Sequence, residues 1–560
     1  VFLEFRKEVA DSLREALKEK NWDIPDLALT ESPHADLTSL AAFKLASTLK
    51  QNPAEIASEL ALHLKTTRLI GSIKAAGPYL NFQVSQSYLE ETLKQVLQQD
   101  KNYGNLSKKG KVILEHTSAN PNGPLHVGHI RNSVIGDTLS RILKRAGWEV
   151  ETQYYINDMG RQIAIVVWAL ENFKLDTSKK PDHAIAEIYV KGNKKLEEEP
   201  EKKEEIERLL GEIETGEPET QERFKQAVET AMKGIKTTLQ RMNIHHDSFV
   251  WESKFVRNGS VKKVIKELEK LGRLKEDNGA LLVGLEDLGF EKDLVVMRKD
   301  GTSLYTTRDL AYHIWKSEQC DRVIDILGAD HKLISNQLKT VLSILKVPQP
   351  EVVIFEFVSL PEGSMSTRRG VFISADELLD EIEKQALLEV KKRRPETSPA
   401  FQEEVARMVG TGAVRYDIVK VSAEKSTVFD WQAALDFEKQ GAPFIQYAHA
   451  RACSILRKAE EKGITPYPEA PPREEPETLL LKKLGYFPQV IETSAQTLDP
   501  TKLAIYAREL AFTFNQFYRD IPVINAPPPL RETRLALVKA AKIGLANTLE
   551  TLGIAAPTTM

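Results

Sequence analysis

Two cysteines in 560 residues, Cys320 and Cys453, are too few for a disulfide framework or a structural zinc site. No run of about 18 apolar residues occurs, and no basic stretch leads into an apolar one near the first residue. Neither a membrane span nor a secretory leader is therefore expected, and the expected compartment is the cytoplasm. An excess of positive charge is missing too. The formal net charge of −4 argues against a nonspecific nucleic-acid binder, but leaves room for an RNA enzyme with its basic residues gathered on one face.

What is present is most concentrated in Ile113-Leu-Glu-His-Thr-Ser-Ala-Asn-Pro-Asn-Gly-Pro-Leu-His-Val-Gly-His129. Lys111 to Leu114 are apolar and β-branched enough for a strand. Ile130, Val134, Ile135, Leu139, Ile142 and Leu143 recur at helical spacing as far as Gly147. A strand–turn–helix that presents His126, Gly128 and His129 at the helix N-terminus suits a phosphate. Backbone N–H groups and the helix dipole face the anion, imidazoles can donate to it, and glycine lets a flat ring approach. The plainer reading is two histidines that cap or pack a helix end. The surrounding pattern favours a nucleotide site at the carboxyl end of a strand in an open α/β sheet.

The length is too great for one core and implies about three or four domains. Residues 1–105 read as a small α+β unit, with helices over Phe5–Lys18, Leu40–Thr48 and Ala54–His63 and two strands around the Gly77-Pro78 turn. Residues 106–375 alternate apolar β-like runs with helical patterns, as a Rossmann-like, doubly wound parallel sheet would. A helix is expected over Ile156–Phe173. A helical insertion near 175–250 includes the charged block Lys191–Lys225, read as a solvated hairpin broken at Gly216-Glu-Pro218. Residues 376–560 are helical throughout, interrupted by the Pro-rich stretch Tyr467–Pro476. The fold class is thus α/β multidomain, with an all-α C-terminal part.

The segment with His126 and His129 resembles the first signature of class I aminoacyl-tRNA synthetases. The wider run Glu115-His-Thr-Ser-Ala-Asn120 resembles the arginyl-tRNA synthetase version in particular. Gly77-Pro-Tyr-Leu-Asn-Phe82 resembles the end of that family's N-terminal domain, which touches the corner of the tRNA. Gly363-Ser-Met-Ser-Thr-Arg-Arg-Gly370 resembles the second class I signature, a loop whose lysines neutralise the pyrophosphate end of ATP. Ser364 and Thr367 stand where those lysines would be, and Gly123 stands where a compensating lysine is often found. Arg368 and Arg369 are the substitutes, as fixed cations that can hold phosphate oxygens bidentately.

The resemblance implies an arginine–tRNA ligase that forms arginyl-adenylate from L-arginine and ATP, with Mg2+ arriving on the ATP, and then charges tRNA-Arg. It puts ATP against His126, Gly128, His129, Met365 and Ser366, with His126, His129, Arg368 and Arg369 as the catalytic set. Glu115, Tyr305 and Asp309 would meet the guanidinium, and Ser118, Asn120 and His126 the α-amino and carboxylate groups. For Asp309 the alternative is a carboxylate at the N-terminus of a helix over Leu310–Lys316. Asn157-Asp-Met-Gly-Arg-Gln162 resembles a further family signature, and Asp158 could equally cap a helix.

Gly412-Ala-Val-Arg-Tyr416, Phe429-Asp-Trp431, Pro443–Arg451, Tyr506–Leu510, Asn515–Tyr518 and Leu552–Met560 resemble the family's helical anticodon-binding domain. Gln446, Tyr447, His449 and Arg451 mix stackable rings with base-edge donors, while Ile445, Ala448 and Ala452 sit at core spacing. Tyr79, Asn81, Tyr506 and Met560 are the candidate tRNA contacts, with core packing the alternative for each aromatic. A monomer is expected, as is activation of arginine only with tRNA bound. Two rivals stay open: another class I synthetase, such as the glutamyl, glutaminyl or cysteinyl enzyme, and a noncatalytic tRNA-binding relative.

Overall fold

The structure, a computed structural model, describes residues 1–24, 26–359, 373–438 and 441–560. At its N-terminal end, α1 (Phe2–Glu19) buries Phe2, Phe5, Val9, Leu13 and Ala16 along one stripe. With α2 (Ala41–Leu49) and α3 (Pro53–His63) it packs on an antiparallel sheet of β1 (Leu29–Ser32), β2 (Ala35–Ser39), β3 (Ile70–Ala76) and β4 (Tyr79–Val84), in the order β1-β2-β4-β3. β3 and β4 are the two strands expected around the Gly-Pro turn. α4 (Gln86–Gln99) leads out of this unit.

The second unit is built on five parallel strands in the order β12-β11-β5-β6-β7: β5 (Lys111–Glu115), β6 (Glu149–Ile156), β7 (Ser248–Trp251), β11 (Arg322–Gly328) and β12 (Glu351–Phe355). Val112, Ile113 and Leu114 are wholly buried, as a strand covered on both faces requires. α5 (Val127–Arg145) connects β5 to β6, while β11 lies on the other side of β5. The strand order therefore switches direction between β5 and β11, and a crevice opens there at the carboxyl ends.

Two expectations fail in this unit. The helix expected from Ile156 is α6 (Arg161–Asn172), because Glu149–Ile156 is a sheet strand. Its N-cap is Gly160, and the buried Asp158 instead accepts from Ser253 N at 2.9 Å, so it serves the first N–H of the short helix Ser253–Arg257 and not the start of α6. The charged block is not one hairpin but three helices, α7 (Pro181–Glu198), α8 (Lys203–Thr215) and α9 (Pro218–Arg241), with the break at Gly216 as expected. α8 buries Ile206, Leu209 and Ile213 and keeps its charges outside.

Beyond β7 come α10 (Ser253–Arg257), α11 (Ser260–Lys270) and a small antiparallel sheet of β8 (Leu274–Asp277), β9 (Ala280–Val283) and β10 (Leu294–Met297). Then follow α12 (Tyr305–Ser317) and α13 (Lys332–Ile344). α12 starts at Tyr305, so Asp309 is in its second turn and the helix-start alternative for Asp309 falls.

The helical part consists of α14 (Ala375–Arg393), α15 (Pro399–Val419), α16 (Trp431–Ala434), α17 (Ala442–Glu461), α18 (Glu475–Thr497), α19 (Thr501–Asp520) and α20 (Leu530–Thr551). α20 is buried on nearly every side and forms its centre. Two of its ties to the sheet unit bear on the site. β13 (Val358–Ser359) pairs in parallel with β14 (Thr427–Val428). The fully buried Arg131 of α5 donates to the carbonyls of Phe357, Ser422, Ala423 and Lys425.

Candidate active site

The turn from β5 into α5 is fixed from behind. Thr117 and Ser118 both have positive φ, +72° and +39°. Asn132 of α5 holds them there, accepting from Thr117 N at 2.7 Å and donating to Ile326 O at 3.0 Å. Such a backbone persists only where surrounding groups over-determine it.

His126 is the N-cap of α5. Its Nδ1 accepts from Gly128 N at 3.1 Å, and His129 Nδ1 accepts from His126 N at 3.2 Å, so the two side chains close a reciprocal capping box. The rings stack at 3.7 Å. A Cβ at position 128 would lie 3.0 Å from His126 Cε1, so the ring that Gly128 lets in close is that of His126. Since both Nδ1 atoms accept, each ring carries its proton on Nε2. Burial lowers His126, and burial followed by the neighbouring His126 takes His129 down to about 3. Both imidazoles are neutral, so the plainer capping role is what the geometry shows, and each ring keeps an Nε2–H that can donate to an anion.

Across the crevice, Glu115, Asp309, His313, Lys316 and Asp325 form one chain of contacts. Lys316 Nζ, wholly buried, lies 2.9 Å from Glu115 Oε2 and 2.7 Å from Asp325 Oδ1. His313 Nε2 lies 2.8 Å from Asp325 Oδ2, and its Nδ1 lies 3.0 Å from Asp309 Oδ1. Burial works against the charge on His313 and Lys316 also lowers it, yet Asp325 and Asp309 raise it to about 10. Burial likewise pushes Glu115 up, against the pull of Lys316. Its other oxygen accepts from Ser118 Oγ at 3.0 Å, and Ser118 Oγ accepts from Tyr155 N.

Glu115 therefore has both oxygens engaged. Asn120 is exposed and donates to Gln162 Oε1 at 2.9 Å, which joins the first signature to the Asn157–Gln162 segment. Tyr305, 51% exposed, starts α12 one turn before Asp309 on the same face.

Two further groups reach this pocket without having stood out in the sequence. The Tyr155 ring stacks on Tyr312 at 4.4 Å, and its buried hydroxyl has no partner among the described residues; the charges of Glu252, Asp309 and Glu115 all act on it. Glu252, just past β7, is buried with Arg308 3.6 Å from Oε1 and with Oε2 unpartnered. Burial, helped by Asp158 and Asp309, drives its carboxyl up to about 8 despite Arg308. One carboxylate oxygen and one phenol hydroxyl, both buried and without a partner among the described residues, are atoms that a cationic planar group would satisfy.

Ser364, Met365, Ser366, Thr367, Arg368 and Arg369 lie outside the described residues. The segment's flanks are tied down: Phe357 O accepts from Arg131, and Ala375 N donates to Leu125 O at 2.6 Å, beside His126. Among the described residues, Asp182, His183 and Asp376 have the spacing of metal ligands. Lys180 Nζ already lies 2.9 and 2.7 Å from the two aspartates, and Arg241 3.4 Å from Asp376. The cluster is an ion-pair staple between α7, α9 and α14.

Residues 92–431 match the family model described as tRNA synthetases class I (R), catalytic domain. Residues 4–84 match the arginyl tRNA synthetase N terminal domain, and 445–560 the DALR anticodon binding domain. The chain belongs to the arginyl-tRNA synthetase family. It is 56% identical to the arginine–tRNA ligase of Methanosarcina barkeri over all of both chains, and 49% identical to that of Archaeoglobus fulgidus over 99% of each. Among solved structures it resembles arginyl-tRNA synthetase from Thermus thermophilus, with TM-score 0.86 and 30% identity over 99% of this chain and 100% of the other.

The candidate tRNA contacts fare unevenly. Tyr79, 43% exposed, meets the equally exposed Phe43 edge-on at 5.5 Å, and Asn81 beside it accepts from Thr38 Oγ1. Phe82 is core. Tyr506 is corrected: it is 2% exposed, stacked on Phe487 at 5.5 Å, with its hydroxyl donating to Lys483 O, so it packs the bundle and has no face for a base. Gln446 and His449 are likewise buried. Gln446 donates to Met408 O and Ala555 O, and His449 Nδ1 meets Pro557 O at 2.9 Å, so both secure the C-terminal tail. Tyr447 is exposed with Arg451 over its ring at 4.8 Å, and Ile445, Ala448 and Ala452 are core as expected. Met560, whose carbonyl accepts from Arg394, lines a cleft of about 1300 Å3 together with Tyr447, Arg451, Arg508 and Phe512.

Proposed function

We propose that ATP lies over the His126–His129 helix end and L-arginine in the pocket between Glu252 and Asp309. The chain is an arginine–tRNA ligase, joining L-arginine to tRNA at the expense of ATP. The arginine carboxylate attacks the α-phosphorus in line, the bond to the bridging oxygen breaks, and pyrophosphate leaves. The 2′-OH of the tRNA's terminal ribose then attacks the carbonyl carbon, and AMP leaves. Neither step needs a protein nucleophile; positioning and charge stabilisation suffice.

The neutral Nε2–H groups of His126 and His129 donate to phosphate oxygens. Gly128 keeps their stack close, and the helix N-terminus adds its dipole. Positive charge for the leaving pyrophosphate comes from Arg368 or Arg369, with Mg2+ delivered on the ATP. Asp309 and Glu252 take the guanidinium with Tyr305 and Tyr155 beside it, while Ser118 and Asn120 take the α-amino and carboxylate end. Glu115, engaged by Lys316 and Ser118, acts behind them rather than on the guanidinium. The observation that carries this reading is a pair of buried atoms without a partner among the described residues, Glu252 Oε2 and Tyr155 Oη, in groups on which the charge of Asp309 acts.

The partner is tRNA-Arg, read at its corner by Tyr79 and Asn81 and at its anticodon in the cleft by Met560. We place the enzyme in the cytoplasm, where ATP and tRNA are at hand, as a monomer, since one chain carries the catalytic and both tRNA-facing units. Among the described residues, no helix is long and apolar enough to cross a membrane. The test is exchange of labelled pyrophosphate into ATP with each amino acid, with and without tRNA. Exchange with arginine only when tRNA is present is expected. Exchange with glutamate instead, or none with any amino acid, would sink the reading.

A further inference from the structure

Asp309, His313, Asp325, Lys316 and Glu115 alternate in sign along an unbroken line of contacts, each between 2.7 and 3.0 Å. The line joins α12, β11 and β5 beneath the arginine pocket. Its middle members, His313, Asp325 and Lys316, are buried, so neither solvent nor substrate reaches them freely. With three carboxylates and two cations the line carries one net negative charge. Arginine, with guanidinium, ammonium and carboxylate, carries one net positive charge, opposite in sign to that of the line. An uncompensated charge in a buried cluster is penalised by desolvation, and a substrate of opposite charge offsets it.

Geometry adds to the charge argument. Asp309 is only half-buried and sits on an outward helix face, and among the described residues the contact that pins its Oδ1 is that of His313. His313 in turn cannot swing, because Asp325 holds Nε2 and the Asp309 carbonyl lies 2.8 Å from Nδ1. Asp325 is fixed by Lys316, which the Tyr312 ring covers at 4.2 Å.

We infer that His313 is a positioning residue for arginine selection: through its Nδ1 it orients the Asp309 carboxylate toward the guanidinium, and the Asp325–Lys316 pair locks it in that posture. This rests on the reading of Asp309 as a guanidinium ligand. The line does not touch the ATP side of the crevice, so its effect belongs to arginine affinity and to discrimination against analogues with an uncharged head. An asparagine at 313 can reproduce the Nδ1 donor, whereas a glutamine places its amide where Nε2 was and leaves Asp309 unheld.

The experiment is steady-state aminoacylation by the full chain with His313→Asn, His313→Gln, Asp309→Asn and the double variant His313→Gln/Asp309→Asn. KM is measured for arginine, ATP and tRNA, with citrulline, the neutral ureido analogue, as competitor. His313→Gln is expected to raise the arginine KM about tenfold, with kcat and the other two KM values within about threefold, and to narrow the preference over citrulline. His313→Asn should recover most of that loss. In the double variant the effects should fall well short of additive, since both act through one carboxylate.

Equal losses in the Asn and Gln variants, or additive effects, overturn the positioning role while leaving the pocket assignment standing. An unchanged arginine KM in Asp309→Asn overturns the pocket assignment, and the inference with it. Should His313→Gln not fold, Lys316→Arg takes its place. It keeps the charge but lengthens the arm, so the arginine KM should again rise selectively, and no rise counts against the inference.

Discussion

Arg415 of α15 lies 2.5 Å from Asp137 on α5, two turns below the capping histidines, and its guanidinium is wholly buried. The same guanidinium donates to Met242 O at the end of the insertion and to Leu552 O after α20, each at 2.9 Å. A Cβ at 553 would fall 2.1 Å from Arg415 Nη2, so Gly553, at φ +70°, is required there on two counts. One side chain thus gathers α5, the insertion and the helical part.

Removing it should be costly. Arg415→Ala strands Asp137 with only Arg141, 2.7 Å away, and leaves two carbonyls unpaired. The expected loss is about 3–5 kcal/mol, read as a lower urea midpoint. Asp137→Asn, which keeps an acceptor, should lose less. Equal small losses in both would show that the cluster contributes little.

With Glu252 in the arginine pocket, arginine binding should depend on pH. With its carboxyl near 8 in the free protein, Glu252 is largely protonated at neutral pH, while a guanidinium favours the ionised form. Arginine affinity should therefore strengthen as pH rises through about 8. Binding below that value should release a proton, visible by titration calorimetry in buffers of different ionisation enthalpy. Glu252→Gln should weaken arginine binding and abolish the proton release. Release that survives the substitution assigns it elsewhere.

The two halves of the phosphate site should separate kinetically. His129→Ala removes a neutral donor and half the capping box, and is expected to lower exchange on the order of 10^2-fold. Because His129 stays neutral down to about 3, saturated exchange should show no acid limb from this group between about pH 5 and about pH 7. Arg368→Ala with Arg369→Ala should cut turnover heavily at nearly unchanged arginine binding. Turnover that survived would place the phosphate charge on another residue.

In the cleft, Phe512→Ala should raise the KM for tRNA about tenfold, the order expected for one lost stacking partner, without altering the KM for arginine. Phe512 is 61% exposed and lines that cleft. Tyr506→Phe gives the contrast: loss of the bond to Lys483 O should cost about 1 kcal/mol of stability and leave the tRNA KM alone. A selective tRNA defect in Tyr506→Phe would restore it as a contact.

What the sequence made legible was local. A strand, a turn and a helix opening on His126 and His129 are written in consecutive residues, and so is the alternation that makes a parallel sheet. What escaped was what distant strands assemble. Glu252 and Tyr155 belong to no local motif; the pairing of β6 with β7 brings them together, where the charge of Asp309 acts on both. Lys316 looked like an ordinary last-turn lysine, and only the placement of β5 and β11 shows that it holds Glu115. Tyr506, Gln446 and His449 misled for the opposite reason. A polar or aromatic side chain on a helix reads alike whether it faces a base or a neighbouring helix, and here backbone carbonyls from other elements satisfy them.

Arg131 has a bearing on how the molecule can be taken apart. Three of the four carbonyls it serves come from residues 422–425, beyond α15, and β14 from the same stretch completes the ladder with β13. A fragment ended at 375 would lose those three acceptors and leave the buried Arg131 of α5 with only the Phe357 carbonyl of the four. The two halves are therefore not interchangeable cassettes. A chimera that transplants a relative's helical half has a workable seam after β14, where the incoming chain need not match the carbonyls Arg131 already holds, and has none at the start of the helices.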